Sequence, residues 1–71
     1  MTATRVQVVV NGQPESFPAD TTLGALISRL RPSRTGIAVA VGDDVVPRAE
    51  WDDRPLRHGD QIEILTAVQG G

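Results

Sequence analysis

The chain of 71 residues contains no cysteine, and all seven of its basic residues are arginine rather than lysine. Without cysteine there is no disulfide to stabilise the fold, no thiol nucleophile, no persulfide and no thiolate metal site. A domain of this size must then rely on a small apolar core. Because the lack of thiols also suits a reducing compartment, we expect the protein to be cytoplasmic.

Aromatic residues and clustered positive charge are scarce as well. Phe17 and Trp51 are the only aromatic residues, too few for a base-stacking surface. The net charge is -2 and the arginines are scattered, which is not the electrostatic footprint of a nucleic-acid-binding protein. No segment approaches the roughly 20 apolar residues of a membrane-spanning helix. We therefore expect a soluble domain with neither a nucleic acid nor a membrane as its partner.

The predicted elements follow the order strand, strand, helix, strand, short strand, strand. Asn11-Gly12 favours a tight hairpin between the first two strands, and Pro14 confines the second to a sheet edge. One helix packed across one face of a mixed sheet of about five strands is an α+β arrangement. This order matches the ubiquitin-like β-grasp, in which the first and last strands are neighbours. We predict a β-grasp domain over residues 1–67 and a flexible tail over residues 68–71.

One helix is predicted, starting after Asp20-Thr21-Thr22, whose side-chain oxygens can cap its first turn. Pro32 ends it. Its apolar stripe has the spacing i, i+3, i+4, i+7 and consists of Leu23, Leu26, Ile27 and Leu30. Residues 48–57 are polar and irregular, and we expect Trp51 to pack in a separate small cluster beneath this loop.

The sequence ends in Gly70-Gly71, directly after the last predicted strand. An enzyme that adenylates a carboxylate must align it with the α-phosphate of ATP in a slot that excludes water. Two residues without side chains pass the narrowest slot and adopt any backbone conformation it requires. A bare carboxylate needs a partner to activate it. The pattern therefore predicts a carrier rather than an enzyme, with Gly71 as the covalent site and Gly70 beside it.

Other polar residues favour structural roles. His58 is the only histidine, lies in a predicted turn and has no apparent nucleophile or second metal ligand nearby in the sequence. Asp43-Asp44 and Asp52-Asp53 lie in turn-like segments, where aspartate bonds to its own backbone, and no EF-hand spacing is present. We predict neither a metal site nor catalytic residues, so a small hydrolase is a remote alternative.

Alternation along the strands separates two faces of the sheet. One face carries the valines and isoleucines that would pack on the helix. Apolar residues also occur on the opposite face, where polar residues would be ordinary: Val9, Ala38, Ala40, Leu65 and Ala67. The alternative is a set of scattered exposed apolar residues without a function. We predict that they form one docking patch for a partner, beside the tail.

Several segments resemble the ThiS family of sulfur carriers, over essentially the whole chain. They are Val10-Asn11-Gly12, Thr22-Leu23, Val45-Val46-Pro47-Arg48 followed by Trp51, Gly59-Asp60-Gln61 and Gly70-Gly71. Gly42 departs from the family, which often has asparagine in this turn.

The resemblance implies a specific role for the terminus. An E1-like, ThiF-like enzyme would adenylate Gly71 with ATP and magnesium, and a sulfur donor system would convert it to a thiocarboxylate. Thiazole synthase would then take the sulfur for the thiazole of thiamine, and the chain itself would bind no cofactor. Two alternatives remain open: a sulfur carrier for another product (a secondary metabolite, cysteine or molybdopterin), and a non-covalent ubiquitin-like binding module.

Overall fold

The computed structural model describes residues 4–66. Its elements, in chain order, are strands β1 (Arg5–Val10) and β2 (Gln13–Pro18), helix α1 (Leu23–Leu30), strands β3 (Ile37–Val41) and β4 (Asp44–Val46), a 3-10 helix (Arg48–Asp53) and strand β5 (Gln61–Thr66). No helix within this part of the chain is long and apolar enough to cross a membrane.

The five strands form one sheet in the order β2-β1-β5-β3-β4. The first and last strands are parallel neighbours, with Val9 opposite Gln61, and every other pairing is antiparallel. The prediction that the first and last strands are neighbours is confirmed. β2 is an edge strand, which fits Pro14 because proline has no N–H to donate to a neighbouring strand.

The β1–β2 hairpin turns at Asn11-Gly12, as the sequence predicted. Both residues have positive φ, 50° for Asn11 and 82° for Gly12, which are the residue types and backbone region that tight hairpin turns require. Gly42, between β3 and β4, also has a positive φ of 61°. Because asparagine tolerates this region better than most residues, the difference from the family pattern leaves the turn conformation accessible to both residue types.

Helix α1 begins at a cap formed by Thr22, whose Oγ1 accepts a hydrogen bond from the Ala25 N–H at 3.2 Å. Three residues of the predicted stripe, Leu23, Leu26 and Ile27, are fully buried against the sheet. The fourth is a correction: Leu30 is 40% exposed. It is the last helical residue, and the chain leaves in an extended conformation directly after it, so the core covers only part of its side chain.

The segment after β4 also differs from the prediction. Residues 48–53 form a 3-10 helix that packs beside α1, and Trp51 is 1% exposed and belongs to the main core rather than to a separate cluster. Its indole N–H donates to the Val46 carbonyl oxygen at 2.8 Å, which satisfies the one polar atom of this buried side chain. A 3-10 helix of six residues is too short to show a helical period in the sequence.

An ion pair joins the segment between α1 and β3 to the 3-10 helix. Arg34 donates to both carboxylate oxygens of Asp52, at 2.9 and 3.0 Å, and also to the Gly24 carbonyl oxygen and the Ser28 hydroxyl. Gly24 lies where a Cβ atom would collide with the Asp52 carboxylate. The absence of a side chain at position 24 therefore lets the two helices approach closely enough for this bidentate contact.

Candidate functional site

The end of β5 positions the root of the proposed carrier tail. Thr66, the last described residue, pairs with Ile37 at the start of β3, and Leu65 pairs with Ala38. The chain therefore continues into the tail at the β3 start of the sheet. Gly70, Gly71 and Ala67 lie outside the described residues, so the predictions that concern them have no structural counterpart here.

On its other side, this end of β5 is held by the side chain of Asn11. The Asn11 Nδ2 donates to the Ile64 carbonyl oxygen at 3.1 Å, and the Ile64 N–H donates to the Asn11 Oδ1 at 2.8 Å. β1 ends at Val10, so one amide side chain continues the hydrogen bonding that a longer strand would supply. Sequence reasoning identified Asn11 only as a turn residue. The contact joins residues 53 positions apart, and no local pattern indicates it.

The sheet face opposite α1 is called here the open face. Ala38, Ala40 and Leu65 lie next to one another on it, and Leu65 is 60% exposed. Val45 lies on the same face because it pairs with Ala40, and it is 75% exposed. The sequence analysis did not include Val45 in the interface. Its alternation with buried Val46 was the signal that could have identified it.

Val9 is on the open face but not in the same group. It lies opposite Pro14 on β2 and beside Gln61 on β5, so β5 separates it from Ala40. Val9 and Pro14 contribute to the lining of a shallow cavity of about 400 Å³, with His58 and Gly59 at one side. The polar residues Gln7, Glu15 and Ser16 also line this cavity. The open face therefore has two areas that contain apolar residues. One surrounds Leu65 at the tail root, and the other lies at the cavity.

Two of the polar residues considered as site candidates, His58 and Asp52, have structural partners. The Nδ1 of His58 accepts a hydrogen bond from the Gln7 N–H at 3.3 Å, in a turn that is also bonded to β1 through the Gly59 N–H. The hydrogen bond from Arg34 lowers the pKa of the Asp52 carboxyl below its usual value, although partial desolvation opposes the shift. Residues 4–66 contain no group of three histidine or acidic side chains placed to hold a metal ion.

Comparisons with known proteins agree on one family. The sequence profile of the ThiS family matches residues 4–71. The sulfur carrier protein ThiS of Escherichia coli is 30% identical over 66 residues, which are 93% of this chain and all of that protein. A thiazole synthase of Paramagnetospirillum magneticum is 29% identical over 66 residues, which are only 20% of its length.

A solved structure leads to the same result for the fold. The crystal structure of the thiamine biosynthesis protein ThiS from Geobacter metallireducens superimposes with a TM-score of 0.77 at 25% identity, covering 93% of this chain and all of that one. The five-stranded mixed sheet of this chain, with one helix across it, is the ubiquitin-like β-grasp fold. The match over nearly the full length of the sequence, together with this shared architecture, shows that the chain belongs to the ThiS family.

Proposed function

We propose that this chain is a sulfur carrier for the thiazole of thiamine and that the carboxylate of Gly71 carries the sulfur. The observation that supports it most is the extent of the family match, which runs from residue 4 through Gly71. The relative from Escherichia coli, a sulfur carrier protein, is covered over its full length. A carrier of this kind is a co-substrate of partner enzymes rather than an enzyme itself.

The proposed chemistry has two displacement steps. In the first, an oxygen of the Gly71 carboxylate attacks the α-phosphorus of ATP, and magnesium pyrophosphate leaves, which gives an acyl adenylate. In the second, sulfur from a donor at the oxidation level of hydrosulfide attacks the carbonyl carbon. AMP leaves with the bridging oxygen, one proton is released, and a thiocarboxylate remains. ATP and magnesium belong to the activating partner, an E1-like enzyme, and the chain binds no cofactor of its own.

We further propose that partners dock on the open face, through Ala38, Ala40 and Leu65 with Val9 and Ala67 as additional contacts. Leu65 pairs with Ala38 three residues before the predicted tail of residues 68–71, so a partner on this area has the tail root at its edge. Thiazole synthase is the receiving enzyme in this scheme, and the similar segment within a thiazole synthase polypeptide supports it. These reactions would take place in the cytoplasm.

The test is a thiolation assay read by mass spectrometry. The chain is incubated with the E1-like enzyme of the same organism, ATP, magnesium and a sulfide donor, and its intact mass is recorded. We expect the mass change for one oxygen replaced by sulfur, and fragmentation should assign it to Gly71. The matched control carries one additional residue after Gly71, because the extension turns the carboxylate into an amide and should prevent the change.

Two further variants refine the test. Deletion of Gly71 leaves the carboxylate about 3.3–3.6 Å short of its position, and a misplacement of about 1 Å can lower a rate on the order of 100-fold. Gly71→Ala keeps the carboxylate and adds one methyl group, so it should be impaired less than the deletion. If the extended chain is thiolated as well as the unmodified one, the sulfur lies elsewhere and the proposal fails.

A further inference from the structure

A single carboxylate lies between the apolar residues of the open face. Glu63 is exposed on β5, two residues before Leu65 on the same strand, and directly opposite Ala40 on β3. The alternation of β5 places Gln61 on its other side. None of these neighbours is charged, so Glu63 is the one acidic side chain that the three adjacent strands β1, β5 and β3 place on this face.

Within residues 4–66, Glu63 takes part in no ion pair and no side-chain hydrogen bond, since the ion pair found there joins Arg34 and Asp52 on the helix side. In the free chain, water solvates the Glu63 carboxylate. A partner that covers Leu65 and Ala40 would remove that water, and an unpaired buried carboxylate is costly. Docking on this face therefore requires the partner to supply a cation opposite Glu63.

A second copy of this chain is a poor source of that cation. The open-face positions of the described strands include one basic residue, Arg5 at the beginning of β1. Its guanidinium already donates to the Ser16 hydroxyl at 2.8 Å and to the Ser16 carbonyl oxygen at 2.9 Å. Two such faces packed together would place carboxylates among apolar residues and would offer only this engaged arginine to neutralise them.

The cavity on the other side of Glu63 extends the same surface. Its lining includes Val9 and Pro14 together with the polar residues Gln7, Ser16 and His58, and its volume of about 400 Å³ is large enough to admit a side chain of a partner. Glu63 therefore lies between two contact areas, the apolar residues around Leu65 and the cavity that contains Val9, with Gln61 next to it on the cavity side. An ion pair in that central position would be shielded from water by contacts on both sides, as in strongly contributing interface residues.

We propose that thiazole synthase presents an arginine or lysine, surrounded by apolar side chains, to Glu63, and that this charge pair selects the partner. The inference rests on the proposed function, which supplies the identity of the occupant. The thiazole synthase relative that contains a similar segment in its own polypeptide favours this enzyme as the protein that the face meets. The apolar residues of the open face provide contact, and Glu63 provides selectivity because a partner without the cation would bury an unpaired charge.

The test measures the affinity of thiazole synthase from the same organism for variants of the full chain, by titration calorimetry. Glu63→Gln keeps the shape and removes the charge, and we expect binding to weaken about 30-fold or more, as for the loss of one partner of a desolvated pair. Glu63→Arg should abolish measurable binding. Glu50→Gln is the matched control, because Glu50 is an exposed carboxylate on the 3-10 helix beside α1, and its affinity should stay within about twofold of the unmodified chain.

Leu65→Asp separates the possible results. If Leu65→Asp weakens binding and Glu63→Gln does not, the face docks without a cation opposite Glu63 and the inference is overturned. If neither variant weakens binding, thiazole synthase docks elsewhere, which also overturns it. Sedimentation of the chain alone gives a third check: a dimer that dissociates on Glu63→Arg would make a second copy the occupant. Thiolation of unmodified Gly71 tests the proposed function separately from all of these outcomes.

Discussion

At the scale of single residues, burial separates side chains that look equivalent in the sequence. Leu26 and Leu30 belong to the same apolar stripe, yet Leu26 is fully buried and Leu30 is 40% exposed. Periodicity identifies the side of a helix that faces the core, but the depth of each residue depends on where the sheet ends beneath it. The two leucines therefore form a matched pair for measuring how much burial of a leucine side chain contributes to stability.

Leu26→Ala should lower the free energy of unfolding by about 2–5 kcal/mol, because it removes buried methyl groups and leaves a cavity in a close-packed interior. That is a large share of the total stability of a small domain. Leu30→Ala makes the same chemical change at a partly exposed position and should cost clearly less. Urea denaturation of both variants measures the difference, and equal losses would show that the two side chains are equally covered.

At the scale of elements, β5 is the strand on which the proposed function depends. On one side, β5 pairs with β3 as far as Thr66. On the other side, β1 ends at Val10, and the side chain of Asn11 forms hydrogen bonds with the backbone of Ile64. Asn11 therefore has two roles: it forms the hairpin turn, and it satisfies backbone hydrogen bonds near the end of β5. Its positive φ serves the turn, and its amide group serves the last strand.

Asn11→Gly tests the second role without disturbing the first, because glycine adopts positive φ at no steric cost. The variant should lose about 1–2 kcal/mol of stability for two hydrogen bonds, and the Ile64 amide proton should exchange faster with solvent. Asn11→Asp is the intermediate case, since it can still accept from the Ile64 N–H but cannot donate to the carbonyl oxygen. Unchanged exchange at Ile64 in Asn11→Gly would contradict the assigned contact.

At the scale of the whole molecule, the Arg34–Asp52 pair connects α1, the 3-10 helix and the segment before β3. The hydrogen bond from Arg34 lowers the pKa of Asp52 in the folded chain. The stabilisation that it gives is therefore present above the unfolded pKa of about 3.9 and is lost as the pH falls through the lower folded value. Both side chains are partly solvated, 34% and 67% exposed, so the effect is small.

Asp52→Asn should therefore lower the urea midpoint slightly at pH 7, and the difference from the unmodified chain should disappear well below pH ~3.9. The adjacent Asp53→Asn is the control, because Asp53 is exposed and has no hydrogen bond to Arg34. Urea titrations at a series of pH values measure both variants. A difference for Asp52→Asn that persists at the lowest pH would mean that the charge of Asp52 is not its cause.

The sequence by itself determined the five strands, the one α-helix, their order and the β-grasp arrangement, but not the 3-10 helix. The Asn11-Gly12 turn, the Thr22 cap and the helical stripe are interactions between residues close together in the chain, so local patterns reveal them. The two glycines at the end, taken with the resemblance to ThiS, identified the proposed carrier site in the same way. That prediction concerns residues outside 4–66, and the thiolation assay tests it.

Only the tertiary structure decided how distant segments meet. It placed Trp51 in the main core, joined the Asn11 side chain to Ile64, and separated Val9 from the apolar residues around Leu65. It also placed Glu63 between the apolar residues around Leu65 and the cavity that contains Val9. Each of these facts depends on strand order and register, which bring together residues up to 53 positions apart. No spacing within a single segment encodes such contacts, because they arise only when the whole sheet is formed.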